Sequence, residues 1–252
     1  EELDSIGFKG YSEYYLGNVH NKLNNHEKSI NHFTNSLKFY EEVENLRWIA
    51  IVKNGIGIVQ MKTENHEEGL ATLKESLKIF EDNSMIAETR IPINNIGEYY
   101  FQHNQFELTL TFYQKALELS EQFNDLVGTS LAHANIGLTL AKLNEFDKAI
   151  ESIKAGLAIA EEYQFNEEIY LLNKDLADTY EEMGNAEKAL EHFKFLLEYS
   201  PYHNVKSGVK YPAVFFQTSL GDDRGVDPMN AMKMAAKVQA NTGSGNPVLL
   251  DV

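Results

Sequence analysis

The chain has 252 residues, 43% of them apolar, which is long and apolar enough to bury a core. Its net charge of −16 is concentrated in residues 1–200, which hold 34 acidic against 17 basic side chains, a surface that repels phosphate backbones and anionic headgroups. Nucleic acid and membrane are therefore not expected partners, and the absence of cysteine excludes disulfides, thiolate metal sites and cysteine nucleophiles.

No run of ~18 apolar residues is present to span a bilayer. The chain opens at Glu1 without a basic-then-apolar leader, so a cytoplasmic location is expected.

From the first residues onward the sequence repeats. Leu16-Gly17, Ile56-Gly57, Ile96-Gly97, Ile136-Gly137 and Leu176-Ala177 recur at a step of 40 residues. Thirteen residues after each small residue stand Ile30, Leu70, Leu110, Ile150 and Leu190. Sixteen after come Phe33, Leu73, Tyr113, Ile153 and Phe193, and twenty after come Leu37, Leu77, Leu117, Leu157 and Leu197. Apolar positions inside each period follow helical spacing, and polar pairs break it at Asn24-Asn25, Glu64-Asn65, Asn104-Gln105, Asn144-Glu145 and Gly184-Asn185. Each period therefore predicts two helices of about 16–18 residues joined by a tight turn, with the small residue placed where the two backbones approach.

Segments such as NNIGEYYFQHNQFELTLTFYQKALELSEQFND and ANIGLTLAKLNEFDKAIESIKAGLAIAEEY resemble tetratricopeptide repeats. The 40-residue unit is similar to the longer-helix variety of bacterial signalling proteins, including peptide-pheromone receptors of Gram-positive bacteria and the sensor halves of some histidine kinases and diguanylate cyclases. The resemblance implies an all-α, right-handed superhelix of five helix-turn-helix repeats over residues 1–200, with a concave groove lined by the first helix of each repeat.

In such groove-binding relatives, asparagines two and three residues before the small position hold a ligand's main chain. The matching positions here are Asn54, Asn94, Asn95 and Asn135; repeat five departs from the pattern with Lys174 and Asp175. A carboxamide both donates and accepts, which suits a peptide backbone of any sequence. Lys62 and Lys142, five residues after the small position, are candidate receivers of a carboxylate. Replacing Asn95 and Asn135 by alanine is expected to abolish binding with little change in melting temperature.

The eight histidines form no metal-hydrolase pair, and adjacent Glu-Glu pairs diverge on a helix, so neither metal nor cofactor is expected. The expected partner is a peptide or protein segment of basic or mixed charge. A sensor whose superhelix changes pitch on binding is a second reading, and pairing of two solenoids leaves a homodimer open.

After Tyr199-Ser200-Pro201 the pattern stops, because Pro201 and Pro212 break helices. The remainder reads as a strand (211–217), a helix (226–240), a Gly-rich turn and a strand (248–252), an α/β-like tail. The stretch from Tyr199 to Val252 closely resembles the end of the catalytic domain of prolyl-oligopeptidase-family serine peptidases. That resemblance assigns the triad aspartate to Asp222, with Asp223 a second possibility, and a substrate-assisting arginine to Arg224. No serine stands in G-x-S-x-G, and the triad histidine is expected beyond Val252. The chain is therefore expected not to be an enzyme, a serine peptidase being the alternative. A tail of about 50 residues buries too little to fold alone; it either caps the fifth repeat or is loosely ordered. Two unrelated signatures meeting at Ser200 suggest two parts joined artificially or by a misassembled reading frame, and an uninterrupted native reading frame across that junction would refute this.

Overall fold

The structure, a computed structural model, describes residues 2–63, 65–199, 207–210, 214–217, 237–241, 243 and 248–251. Its helices run α1 (Glu2–Lys22), α2 (His26–Glu42), α3 (Leu46–Met61), α4 (His66–Asp82), α5 (Arg90–Gln102), α6 (Phe106–Gln122), α7 (Leu126–Lys142), α8 (Phe146–Glu162), α9 (Asn166–Glu182) and α10 (Ala186–Tyr199). They pack as consecutive antiparallel couples, each couple stacking on the next, which makes the right-handed solenoid of five repeats. Among the first helices of the repeats only α5 is markedly short, following a 3-10 turn at Ile86–Thr89. Pro92 explains this: its missing N–H and its ring prevent a regular α-helical bond back to residue 88.

The turns recur as strictly as the helices. Positive φ falls at Asn24, Glu44, Ser84, Asn104, Asn124, Asn144, Gln164 and Gly184. The residue after each returns its N–H five residues back, as in Asn25 N to His20 O at 2.9 Å and Asp125 N to Ser120 O at 2.8 Å. This pattern of a left-handed residue with a six-to-one bond closes the last carbonyls of a helix. Asparagine and glycine are the residues that adopt left-handed backbone most cheaply, which accounts for five of these eight positions.

Within each repeat the small residue meets the side chain sixteen positions later. A Cβ on Gly17 would lie 2.6 Å from Phe33 Cδ1, on Gly57 2.8 Å from Leu73 Cγ, and on Gly97 2.7 Å from Tyr113 Cε1. At Gly137 the obstacle is Ile153 together with the Ala149 carbonyl, 2.9 Å away. Backbone cannot yield as a flexible side chain does, so Gly137→Ala should lower stability by about 1–3 kcal/mol from overpacking, less the ~1 kcal/mol that alanine returns in helix propensity. Urea unfolding would check this. Buried serines strengthen the same crossings: Ser29 and Ser36 donate to the Gly17 and Gly10 carbonyls at 2.7 Å, and Ser130 to Gly156 O at 2.9 Å.

Between repeats, the second helix of one couple packs on the first helix of the next. Ile56 and Val59 of α3 cluster with Ile30, Phe33 and Leu37 of α2. Ile96 and Tyr99 of α5 cluster with Leu70 and Leu77 of α4, and Leu176 of α9 with Ile150 and Leu157 of α8.

Beyond the solenoid, β1 (Val214–Gln217) and β2 (Val248–Asp251) pair in parallel, Val214 opposite Val248. Residues 237–241 are helical. The rest of the expected tail, including most of the 226–240 helix and both Asp222 and Arg224, lies outside the described residues. Among the described residues, no helix is long and apolar enough to cross a membrane.

Candidate functional site

The first helices of the repeats carry the asparagines to one face, and there they bond to one another. Asn95 Nδ2 donates to Asn54 Oδ1 at 2.9 Å, and Asn135 Nδ2 donates to Asn94 Oδ1 at 3.0 Å, each pair 41 residues apart. The residue three before the small position in one repeat thus accepts from the residue two before it in the next. Sequence spacing gives both columns; the register between them needs the stacking angle of the repeats, which no local pattern encodes. Asn54 is buried at 8% exposure, and the other three are half-buried. Each rung occupies one N–H and one lone pair, so every carboxamide keeps further hydrogen-bonding capacity.

The ladder has two rungs because chemistry fails at both ends. Toward the N-terminus the next pair is Tyr14 and Gly55, and glycine has no donor. Toward the C-terminus it is Ala134 and Asp175, and alanine has no acceptor. Burial pushes the Asp175 carboxyl up to about 6; nearby Asp178 adds to the effect and Lys174 opposes it. Lys174 is itself held above the usual lysine range by its 2.8 Å hydrogen bond to Asp178.

Around the second rung lies a cleft of about 320 Å³, lined by Arg90, Ile91, Asn94 and Asn95 of α5, Leu131 and Asn135 of α7, and the α6 residues Ala116 and Ser120 beneath. Arg90 Nη2 lies 2.8 Å from Asp125 Oδ2, an ion pair whose alignment is not that of a hydrogen bond. The other oxygen of Asp125 accepts from Gly128 N at 3.0 Å, capping α7 and so fixing the arginine to a helix end. Arg90 and an apolar column six residues before the small position were not singled out from the sequence. That column is Tyr11, Ile51, Ile91, Leu131 and Leu171; Ile91, Leu131 and Leu171 are 42%, 38% and 41% exposed. The available signal was an apolar residue recurring at the 40-residue step one helical turn before the asparagines, on a face with no helix to cover it.

The lysine candidates sit farther along the same helices, where each reaches across a joint between repeats. Lys62 Nζ donates to Asn21 Oδ1 at 3.3 Å, and Lys142 pairs with Glu182 at 2.7 Å. The structure does not bring them into the cleft lined by Asn94, Asn95 and Asn135. Among the described residues no group of three or more His, Asp or Glu is arranged to hold a metal ion.

Residues 88–162 match the tetratricopeptide repeat family, and residues 154–252 match the prolyl oligopeptidase family. The second match begins within α8, ahead of the break at Ser200 where the sequence alone places the change. The solenoid superposes on the crystal structure of BtubC (BKLC) from P. vanneervenii with a TM-score of 0.70 at 15% identity, covering 85% of this chain and 87% of that one. A Rap protein complexed with competence and sporulation factor superposes with a TM-score of 0.63 at 14% identity, over 79% of this chain and 64% of that one. At these identities the likeness is one of fold. The chain is 64% identical over 42 residues to an uncharacterized peptidase of Sinorhizobium fredii, and 45% identical over 60 residues to the prolyl endopeptidase of Elizabethkingia miricola. These stretches are 17% and 24% of this chain but only 6% and 8% of those peptidases. The described helices are a tetratricopeptide-repeat solenoid, and the C-terminal part of the chain carries a partial match to the prolyl oligopeptidase family.

Proposed function

We propose that the solenoid is a binding module that takes an extended peptide segment of a partner along its concave groove, without catalysis. The observation that carries this is the pair of asparagine rungs beside exposed Ile91 and Leu131. It offers a main chain fixed donors and acceptors, and offers alternate side chains an apolar strip. The acidic surface favours a basic or mixed-charge segment, with Arg90 the local exception that would take a carboxylate. A solenoid of this fold can carry a ligand, as the Rap complex with its factor illustrates. The lysines Lys62 and Lys142 serve the groove less directly, by tying successive repeats.

In this reading residues 1–200 are the working unit and residues 201–252 an appendage, cytoplasmic with it. The peptidases matched by the C-terminal part are proteins of which this chain spans 6–8%, and among its 252 residues no serine stands in G-x-S-x-G to act with Asp222 and Arg224.

Selection from a display library of random short peptides on the full chain tests the proposal. Enriched peptides should lose at least tenfold in affinity for Leu131→Asp, an exposed site whose change leaves helix content and melting temperature alone. Unchanged affinity, or no enrichment, refutes the groove assignment.

A further inference from the structure

The solenoid presents two unlike ends, and each carries the surface that the other covers at every internal joint. At the joints of α2 with α3, α4 with α5 and α8 with α9, leucines and isoleucines thirteen and twenty residues after the small position cluster with the residue one before the small position of the following repeat, and at the first two joints also with the residue two after it. In the second set, Ile96, Ile136 and Leu176 are 1%, 8% and 0% exposed and Ile56 is half-buried, and Val59, Tyr99, Thr139 and Thr179 are 0%, 8%, 0% and 2% exposed. The same positions on α1 are Leu16 and Val19, at 43% and 50%, flanked by Phe8 at 71% and Tyr15 at 49%. In the first set, Ile30, Leu70, Leu110 and Ile150 are half-buried, as are Leu37, Leu77, Leu117 and Leu157. Their counterparts on α10, Leu190 and Leu197, are 51% and 48% exposed.

We infer that copies of this chain associate end to end, with the Leu190 and Leu197 face of one α10 seated on the Leu16 and Val19 face of another copy's α1, continuing the superhelix across the joint. A second copy is the occupant because its opposite end has the shape and polarity that each internal joint already uses. Charge agrees. Lys142 pairs with Glu182 one repeat on at 2.7 Å, and one step further the joint would set Glu182 against Lys22 of the next copy. The contact is heterologous, since the two surfaces differ, so it does not close on itself as a two-fold dimer does and permits growth. Its functional consequence is a longer groove, in which Lys174 of one copy and Tyr15 of the next stand where the asparagine rungs stand within the chain.

Sedimentation velocity on the full chain over a wide concentration range tests this. Species larger than dimer should appear as concentration rises. Leu16→Glu/Val19→Glu should be monomeric, as should Leu190→Glu/Leu197→Glu, both with unchanged helix content because all four sites are exposed. Mixed in equal amounts, the two variants retain one intact end each and should form a dimer and nothing larger. Three outcomes overturn the inference: a monomeric wild type, as when the tail occupies the α10 face; a dimer formed by either variant alone, which marks a two-fold contact; or a mixture that stays monomeric.

Discussion

Asn135→Ala is expected to cost about 1–2 kcal/mol of stability, measured by urea unfolding of the full chain. The substitution deletes the donor of a 3.0 Å bond and leaves the half-buried Asn94 oxygen without it. A net hydrogen bond contributes about 1 kcal/mol, and an abandoned buried acceptor adds part of its desolvation penalty. Asn95→Ala should cost more than Asn135→Ala, because its acceptor, Asn54, is more deeply buried at 8% exposure. A double-mutant cycle on Asn94 and Asn135 should give a coupling of about 1 kcal/mol, whereas Lys142→Ala, whose ion pair with Glu182 is exposed on both sides, should change stability by no more than about 0.5 kcal/mol. This amends the expectation drawn from the sequence that Asn95 and Asn135 could be replaced with little change in melting temperature. The carboxamides hold successive repeats in register as well as facing the groove, so a loss of peptide binding in these variants must be read beside the loss of stability. Leu131→Asp supplies the cleaner arm. Additive effects at Asn94 and Asn135 would mean that the rung contributes nothing.

The contrast between the two results follows from what a one-dimensional pattern can encode. The contact of Gly97 with Tyr113 was legible because both residues lie in one repeat, sixteen apart, where helix geometry and a short turn leave little freedom. The helix boundaries were legible for the same reason, except at α5, where Pro92 shifts the start. The rungs were half legible. Asparagine columns show in the sequence, but the pairing of residue 54 with 95 and 94 with 135 depends on the pitch between repeats, set by the bulk of Ile56, Val59, Ile96 and Tyr99 against the preceding helix. Arg90 escaped notice because a lone arginine at a helix start has no column; only Asp125, 35 residues on and capping α7, gives it a fixed place.

Where the ladder ends, the sequence offers its own experiment. Asp175 occupies the column of Asn95 and Asn135 but faces Ala134, and its carboxyl is pushed up to about 6 by burial. The folded chain therefore binds this proton more tightly than the unfolded chain does, whose ordinary value is 3.8. By linkage, the site's stabilising contribution is full below about pH 4 and is lost as pH rises through about 6, where the buried carboxylate must form. Asp175→Asn keeps the shape and removes the charge, so it should raise stability at pH 7 by on the order of 1–3 kcal/mol and leave it unchanged near pH 4. Thermal unfolding of both proteins across that interval would show the curves diverging with rising pH; parallel curves would refute the buried-carboxylate account. Adding Ala134→Asn should build a third rung, since Asn54 and Asn94 show that the column accepts a carboxamide, and should gain about 1 kcal/mol beyond Asp175→Asn alone. The wild type forgoes that stability and keeps an ionisable group in the column that carries Asn95 and Asn135.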